Sequence, residues 1–315
     1  MDRASRPAIL APDAGGIAEA ARLLRQGGLV AVPTETVYGL AARADRDDAV
    51  AAIYRAKGRP SFNPLIVHVA DPDAARALAT FDDRADKLAG AFWPGALTLV
   101  LPLRGGAPVA AAVTAGLPTI ALRCPAHPAM RAVIAAAALP LAAPSANRSG
   151  AVSPTSAAHV IASLGDRIDA ILDGGACEAG LESTIVALRP DGAWQVLRPG
   201  PIAEADVAAV LGTPAEPVNS QRVEAPGQLA SHYAPGKPVR LDAENAEADE
   251  FHIGFGPVAG DATLSASGDL AEAAARLYAL LHEGAAAAQP RIAVAPVPRH
   301  GIGAAINDRL KRAAA

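Results

Sequence analysis

The 315-residue sequence contains 51% apolar and 19% charged residues and has a formal net charge of −4 at pH 7, a composition typical of a globular protein and not of a disordered chain or a strongly basic nucleic-acid-binding protein. Cys124 and Cys177 lie far apart and belong to no CxxC or Cys/His cluster, which excludes a disulfide scaffold and a structural zinc site. The apolar stretches are too short to span a bilayer, and residues 1–12 lack the apolar segment of a signal peptide, so we expect a cytoplasmic protein with no membrane partner.

Helix-like and strand-like apolar patterns alternate over the first two hundred residues. Apolar residues at helical spacing predict helices over residues 14–26, 45–58, 71–79, 82–92, 128–138 and 155–164. Short apolar runs predict strands over residues 29–33, 65–69, 97–101, 119–123, 141–143 and 170–172. Segments 183–188 and 194–197 flank Pro190-Asp191-Gly192 and predict a β-hairpin. Interleaved helices with a hairpin indicate an α/β fold in which helices cover a mixed sheet.

The composition changes after Leu211. Residues 212–238 contain five prolines, which is typical of an extended linker. Beyond it, apolar patterns predict strands over residues 239–241, 251–255 and 291–295 and helices over residues 270–282 and 303–311. We therefore predict a main domain over 1–211, a linker over 212–238 and a small C-terminal α/β domain over 239–315.

The loop Pro33-Thr34-Glu35-Thr36-Val37-Tyr38-Gly39-Leu40 follows a predicted buried strand. Ligands of open α/β sheets lie outside the carboxyl ends of strands, so these hydroxyls could face a substrate. A turn with a helix cap explains them equally well. Further along, Lys57 and Arg59 flank Gly58 at a predicted helix end. Two fixed cations suit a triphosphate, but cations at a helix C-terminus also complement the helix dipole.

Two polar residues stand in apolar strands. His68 belongs to Leu65-Ile66-Val67-His68-Val69, where a hydrogen-bonded core histidine is the commoner explanation. Arg123 ends the strand Thr119-Ile120-Ala121-Leu122-Arg123. A buried guanidinium requires an anion, and either a ligand carboxylate or an internal Asp or Glu would satisfy it.

Small polar residues follow another predicted strand, in the run from Pro144 to Thr155. With glycine nearby, they would allow the backbone to approach a nucleotide closely, although Ser153 or Thr155 could simply cap the next helix. A further hydroxyl pair, Ser183-Thr184, and Arg198 lie at strand ends. The sequence has no Walker motif, no GxGxxG, no HExxH and no GxSxG, which argues against the common phosphate-binding and hydrolase sites.

Taken in order, these segments resemble the YrdC-like family of threonylcarbamoyl-AMP synthases. The matching segments are PTETVYGL at 33–40, KGRPSFNPLIVH at 57–68, FWPGALTLVLP at 92–102, TIALRCP at 119–125, APSANRSG at 143–150, ESTIV at 182–186 and VLRPG at 196–200. The segment PGQLASHYAP at 226–235 resembles the linker of longer family members with an extra C-terminal domain. The resemblance implies a twisted open mixed sheet with a concave, electropositive cavity.

The resemblance also implies roles for individual residues. Those implied to contact threonine are Thr36, His68, Arg123, Ala143 and Ser183. Those implied to surround ATP are Lys57, Arg59, Asn63, Thr119, Ser145, Ser153, Arg198 and Tyr233. Thr34, Tyr38 and Asn147 would support the site. Lys57, Arg59 and Arg198, together with Mg²⁺ bound with ATP, would neutralise charge during the reaction, and Lys57 and Arg59 are the predicted catalytic residues. No protein ligand to a metal is implied.

The implied reaction converts L-threonine, bicarbonate and ATP into threonylcarbamoyl-AMP and pyrophosphate, the first step of threonylcarbamoyladenosine formation in tRNA, with a separate transferase acting next. The linker would then act as a lid over the cavity, and a passive tether is the alternative. Another interpretation is a module that binds double-stranded RNA or tRNA through Arg43, Arg46, Arg55, Lys57 and Arg59. A third is a carbamoyl-adenylate enzyme with a different acceptor, as in hydrogenase maturation proteins.

Overall fold

The computed structural model describes residues 6–218, 223–228 and 232–315. Within these ranges the chain forms a ten-stranded mixed sheet and a separate four-stranded parallel sheet. Helices flank both sheets, which confirms the predicted α/β fold with a small C-terminal α/β domain.

The first domain contains most of the elements. Its strands are β1 (Ala8–Leu10), β2 (Val30–Val32), β3 (Gly39–Arg43), β4 (Ile66–His68), β5 (Leu97–Pro102), β6 (Thr119–Arg123), β7 (Leu141–Ala142), β8 (Ala170–Leu172), β9 (Thr184–Leu188) and β10 (Trp194–Arg198). Its α-helices are α1 (Ala14–Arg25), α2 (Asp47–Lys57), α3 (Pro72–Arg76), α4 (Asp83–Phe92), α5 (Ala111–Thr114), α6 (Pro128–Ala137), α7 (Ala157–Leu164) and α8 (Glu204–Leu211), with a short 3₁₀ turn at Gly165–Arg167. The strand order is β1-β8-β2-β3-β7-β4-β6-β5-β9-β10.

Side-chain alternation in the middle of this sheet separates a core face from a polar face. Strands β4 and β6 are parallel, with His68 opposite Arg123. On β6, Ile120 and Leu122 belong to the main hydrophobic core. Because successive strand side chains point to opposite faces, Thr119 and Arg123 lie together on the other face.

The polar face is partly covered by the linker. A small apolar cluster there joins strand residues to Ala225, which is fully buried. The strand members of that cluster are Ile66, Val100, Ala121, Ile185, Ala187 and Leu197. The sheet therefore has helices on one side of its centre and the linker on the other.

The C-terminal domain contains β11 (Val239–Arg240), β12 (Glu250–Gly254), β13 (Ala262–Thr263), α9 (Leu270–Ala286), β14 (Arg291–Val294) and α10 (Gly303–Ala313), in strand order β11-β14-β12-β13. Its core extends into the first domain through Val37, Val152 and Leu181. Gly180 has φ +66, and a Cβ there would meet the Ala274 carbonyl oxygen of α9 at 2.5 Å. Helix α9 therefore packs directly against the backbone of the first domain.

The structure differs from the predicted elements in a few places. Strand β3 begins at Gly39, inside the segment predicted as a loop, because pairing of Val32 with Gly39 continues the sheet there. The short elements β1, α5, α8 and β13 were not predicted. Helix α8 ends at Leu211 and β11 begins at Val239, and the division into 1–211, 212–238 and 239–315 stays a prediction.

Candidate active site

A cavity with a free volume of about 510 Å³, its mouth included, lies over the polar face of the sheet. The lining residues are Thr34, Thr36, Val37, Gly39, Arg59, Ile66, His68, Arg123, Ala143, Pro144, Ser145, Glu182, Ser183, Arg198, Pro226, Gly227, His232 and Tyr233. All five residues predicted to contact threonine are among them, as are Arg59, Ser145, Arg198 and Tyr233 from the predicted ATP set.

At one end of the cavity, the Arg123 side chain is held by three acceptors. Its Nη2 donates to Glu35 Oε1 at 2.6 Å, its Nη1 to Thr36 Oγ1 at 2.9 Å and its Nε to the Gly95 carbonyl at 3.2 Å. Burial alone would raise the pKa of Glu35, but the charge and hydrogen bond of Arg123 lower it overall. The internal carboxylate that the sequence left open as a partner is therefore present, and it orients the guanidinium.

His68 lies beside Arg123 as a neutral imidazole. Burial, reinforced by the charge of Arg123, lowers the pKa of His68 to about 3. Its Nδ1 is buried and has no hydrogen-bond partner among the residues that the structure describes. Buried polar atoms are nearly always paired, so this nitrogen is suited to a polar group of a ligand.

The hydroxyl groups at this end have different surroundings. Thr34 Oγ1 donates to the Val37 carbonyl at 2.7 Å and accepts from the Thr36 and Val37 amides, so Thr34 closes a turn, as one interpretation of this loop expected. Ser183 Oγ bonds Thr98 Oγ1 at 2.7 Å and accepts from Arg198 at 3.1 Å. Ser183 therefore connects Thr98 to Arg198.

Two buried guanidinium groups, Arg59 and Arg198, define the other end. Arg59 donates to the Asn63 carbonyl and Oδ1 and to the Pro64 carbonyl. Arg198 donates to the Ser183 carbonyl and hydroxyl and to the Pro226 carbonyl. Burial lowers the pKa of Arg59 to about 10 and also lowers that of Arg198. These acceptors are all neutral, so both cations retain the capacity to bind an anion.

Lys57 does not line the cavity. Its Nζ donates to the Ser145 and Asn147 carbonyls, and the residue is 2% exposed. Burial, reinforced by Arg59, lowers the pKa of Lys57 well below its usual value. In this structure Lys57 fixes the loop that places Ser145 in the cavity wall, and the role in charge neutralisation stays a prediction.

The remaining candidates surround the cavity without lining it. Asn63 accepts a hydrogen bond from Arg59. Because Ile66 pairs with Ala121 in parallel strands, Thr119 lies level with Pro64. The Pro64 carbonyl also accepts from Arg59, so Thr119 is near the same guanidinium. Ser153 Oγ donates to Glu182. The supporting residues Tyr38 and Asn147 donate to backbone carbonyls, of Gly175 in the first case and of Arg148 and Ala151 in the second.

Some residues at the cavity carry no predicted role. Among the lining residues they are Val37, Gly39, Ile66, Pro144, Glu182, Pro226, Gly227 and His232. Glu35, which accepts from Arg123, also had no predicted role. Both carboxylates directly precede a candidate residue: Glu35 precedes Thr36 in PTETVYGL, and Glu182 precedes Ser183 in ESTIV. An acidic residue directly before a candidate hydroxyl residue was the sequence signal that could have pointed to Glu35 and Glu182. Their partners, Arg123 and Arg309, are revealed only by the fold.

The linker closes one side of the cavity. Tyr233 is fully buried, has φ +64, and its hydroxyl has no partner within the described ranges. Gly227 has φ +89, and a Cβ there would meet Arg198 Cδ at 2.8 Å and the Tyr233 hydroxyl at 3.0 Å. Glycine at 227 therefore allows the linker to approach both side chains.

The basic cluster behind the RNA-binding interpretation does not form a free cationic surface. Arg43 pairs with Asp45 at 2.7 Å, and Arg46 pairs with Asp48. Lys57 and Arg59 are buried, whereas Arg55 is exposed. The described part of the chain has no group of three or more His, Cys, Asp or Glu side chains that could hold a metal ion, and none of its helices is long and apolar enough to cross a membrane.

The chain matches two family models. Residues 22–200 match Sua5/YciO/YrdC, described as "Telomere recombination", and residues 202–315 match "Threonylcarbamoyl-AMP synthase, C-terminal domain". The chain therefore belongs to the Sua5/YciO/YrdC family and carries the C-terminal domain of threonylcarbamoyl-AMP synthases.

Individual relatives agree with this assignment. A threonylcarbamoyl-AMP synthase of Bacillus subtilis is 47% identical over 234 residues, which span 71% of this chain and 66% of that protein. One of Pyrococcus abyssi is 37% identical over 93% of this chain and 92% of the relative. A crystal structure of P. abyssi Sua5 complexed with L-threonine superposes with a TM-score of 0.88 at 34% identity and covers 98% of both chains.

Proposed function

We propose that this chain is an L-threonylcarbamoyladenylate synthase, a nucleotidyltransferase that converts L-threonine, bicarbonate and ATP into threonylcarbamoyl-AMP and pyrophosphate. Support comes from membership of the family, from the relatives that bear this enzyme's name and from the L-threonine complex of the P. abyssi protein. The observation in this molecule that carries the proposal is the pair of buried guanidinium groups, Arg59 and Arg198, whose hydrogen-bond acceptors are neutral. Cations removed from water require anions, and a triphosphate supplies several.

The two ends of the cavity suit the two larger substrates. Arg123, Thr36 and His68 would take the carboxylate and polar groups of threonine. Arg59 and Arg198 would take the phosphates of ATP. Thr119 and Arg123 lie toward these two ends on strand β6, and a spacing of four positions along the strand places them about 13 Å apart. That separation allows threonine and the nucleotide to lie side by side with their reacting groups between them.

The chemistry requires positioning and charge neutralisation more than proton transfer. The threonine amine combines with bicarbonate to give an N-carboxylate and water. A carboxylate oxygen then attacks the α-phosphorus, and the bond from that phosphorus to the β-phosphate bridging oxygen breaks and releases pyrophosphate. The approach of one anion to another is aided by Arg59 and Arg198 and by Mg²⁺ that enters as MgATP. The residues also hold two substrates in one orientation, which lowers the entropic barrier.

The linker segment would protect the product, a mixed anhydride that water destroys. Pro226, Gly227 and Tyr233 cover the cavity in this structure. A cover of this kind excludes water during the reaction and must open for exchange of substrate and product. The product would serve a separate transferase that modifies tRNA, and the reaction would take place in the cytoplasm.

Mass spectrometry tests the proposal directly. Purified protein is incubated with ATP, Mg²⁺, L-threonine and bicarbonate, and each component is omitted in turn. We expect threonylcarbamoyl-AMP and pyrophosphate only when every substrate is present. If that product is absent and the protein instead binds tRNA with a steep dependence on salt, the RNA-binding interpretation would replace this one.

A further inference from the structure

The C-terminal domain reaches into the active site through a buried carboxylate. Glu182 lines the cavity and directly precedes Ser183. Its Oε1 accepts from Ser153, and its Oε2 accepts from the Tyr278 hydroxyl at 2.8 Å and from Arg309 Nε at 2.9 Å. Two of the three donors to this carboxylate therefore come from helices α9 and α10 of the C-terminal domain.

Arg309 is fully buried, and its contacts extend beyond Glu182. Its Nη2 donates to the Pro199 carbonyl at 2.9 Å, one residue after Arg198. Its Nη1 pairs with Asp308 at 2.7 Å. The guanidinium thus joins Glu182, which lies two residues before β9 begins, to Pro199, the residue directly after β10 ends.

The same two side chains also hold the linker tyrosine. The Tyr278 ring stacks on Tyr233 with centroids 5.5 Å apart. The Arg309 guanidinium carbon lies 5.3 Å from the centroid of the Tyr233 ring, which is within the range of a cation–π contact. Tyr278 and Arg309 therefore contact both the carboxylate in the cavity and the aromatic ring that covers it.

The negative charge of Glu182 affects how well the cavity can bind an anion. A carboxylate that lines an anion-binding cavity repels the anionic ligand unless a neighbouring cation neutralises the carboxylate. Burial alone would raise the pKa of Glu182, but Arg309 and then Arg198 lower it to about 2, so the group is ionised. Without Arg309, Arg198 and Lys57 are cations that still act on Glu182, and Arg198 becomes less available to a ligand.

We infer that Arg309 and Tyr278 are positioning residues for the active site: they neutralise and hold Glu182, so that Arg198 stays available to an anionic ligand and Tyr233 stays over the cavity. The inference rests on the proposed function in one respect, that the anion is the triphosphate of ATP. It gives the C-terminal domain a specific part in nucleotide binding.

The test measures the dissociation constant of ATP with Mg²⁺ by calorimetry, without threonine, for the full-length protein and its variants. Arg309→Met should weaken ATP binding by about 10-fold or more, because an unpaired buried charge is left in the site. The double variant Glu182→Gln/Arg309→Met should recover most of this loss, since the repelling charge is gone. Lys311→Met, an exposed residue of the same helix, is the matched control and should bind ATP as the wild type does.

A second variant covers the case in which Arg309→Met does not fold. Tyr278→Phe removes one hydrogen bond to Glu182 and keeps the ring against Tyr233, so it should weaken ATP binding by about 3-fold. Threonine binding, measured separately, should change less than ATP binding in each variant. Folded variants with unchanged ATP binding, or a double variant no better than Arg309→Met, would overturn the inference.

These experiments distinguish failure of the inference about Arg309 from failure of the proposed function. If wild-type protein binds ATP but makes no threonylcarbamoyl-AMP, the proposed function fails while the comparison of ATP affinities still supports or overturns the role of Arg309. If wild-type protein does not bind ATP, both are overturned.

Discussion

Arg123, which is buried, and Glu35, which is half-buried, form an ion pair with 2.6 Å between Nη2 and Oε1, at the end of the cavity lined by the candidate threonine contacts. The pair fixes one edge of the guanidinium, and Thr36 fixes another. A guanidinium has five N–H donors, so Arg123 can hold Glu35 and still donate to a ligand carboxylate. Glu35 thus orients this cation for a second anion.

Replacement of Arg123 tests this assignment. Arg123→Ala should raise the KM for threonine by about 10- to 100-fold, because a charge-assisted hydrogen-bonded contact contributes roughly 1.5–3 kcal/mol. The KM for ATP should change little. Steady-state kinetics with each substrate varied in turn provides the measurement, and Arg131→Ala on the exposed side of α6 is the control. An increase confined to the KM for ATP would show that Arg123 has been assigned to the wrong substrate.

Replacement of Lys57 distinguishes a catalytic role from a role that is limited to holding the loop of Ser145 and Asn147. Lys57→Ala should lower turnover by about 10²-fold if its charge stabilises the transition state. It should also lower the melting temperature, since the Ser145 and Asn147 carbonyls lose their donor. Single-turnover kinetics and thermal unfolding are compared with Lys87→Ala, an exposed lysine on α4. A destabilised variant with full turnover would leave Lys57 with the structural role alone.

The lid hypothesis can be tested at two glycines. Both Gly227 and Gly212 have positive φ, so alanine costs roughly 1–2 kcal/mol of backbone strain at either. A Cβ at Gly227 would also meet Arg198 and Tyr233, whereas a Cβ at Gly212 meets nothing within 4 Å. Gly227→Ala should therefore raise the KM for ATP and lower the yield of threonylcarbamoyl-AMP per ATP consumed, and Gly212→Ala should do neither. Equal behaviour of the two variants would favour a passive tether.

A stacked histidine pair predicts how stability depends on pH. His159 of α7 and His282 of α9 lie with ring centroids 3.9 Å apart. Burial, with His282 adding to it, lowers the pKa of His159 to about 4, and burial lowers that of His282. Below the ordinary histidine pKa of about 6.5 the unfolded chain binds protons, whereas the folded pair stays neutral. The contribution of the neutral pair to the free energy of unfolding is therefore complete above that pH. It is lost progressively as the pH falls toward 4.

Thermal unfolding across pH 4–8 measures this dependence. The melting temperature should fall as the pH drops below about 6.5, and His159→Gln should make the fall shallower. His300→Gln, at an exposed histidine, is the control and should leave the slope unchanged. A His159→Gln profile parallel to that of the wild type would mean that the stacked pair does not contribute to the acid sensitivity.

Much of the fold was predictable because it depends on neighbouring residues. The strand Thr119–Arg123 follows from its apolar run and its two-residue alternation. Helix α2 ends at Lys57 and is capped by Gly58, which has φ +61, as glycine after a helical pattern indicates. Strand β3 was missed because Gly39-Leu40-Ala41-Ala42-Arg43 has weak intrinsic preference for a strand, and its pairing with β2 and β7 decides the outcome.

The sequence by itself determined the class of fold, the ordered motifs of the family and most of the side chains that meet at the cavity. Tertiary structure alone decided which groups pair there: Arg123 with Glu35, Lys57 with the Ser145 carbonyl, and Glu182 with Arg309. These partners are 88, 88 and 127 residues apart in the chain. Local periodicity reports on residues within a few turns or strand positions, whereas a buried charge finds its partner only when distant segments are packed together and water is excluded.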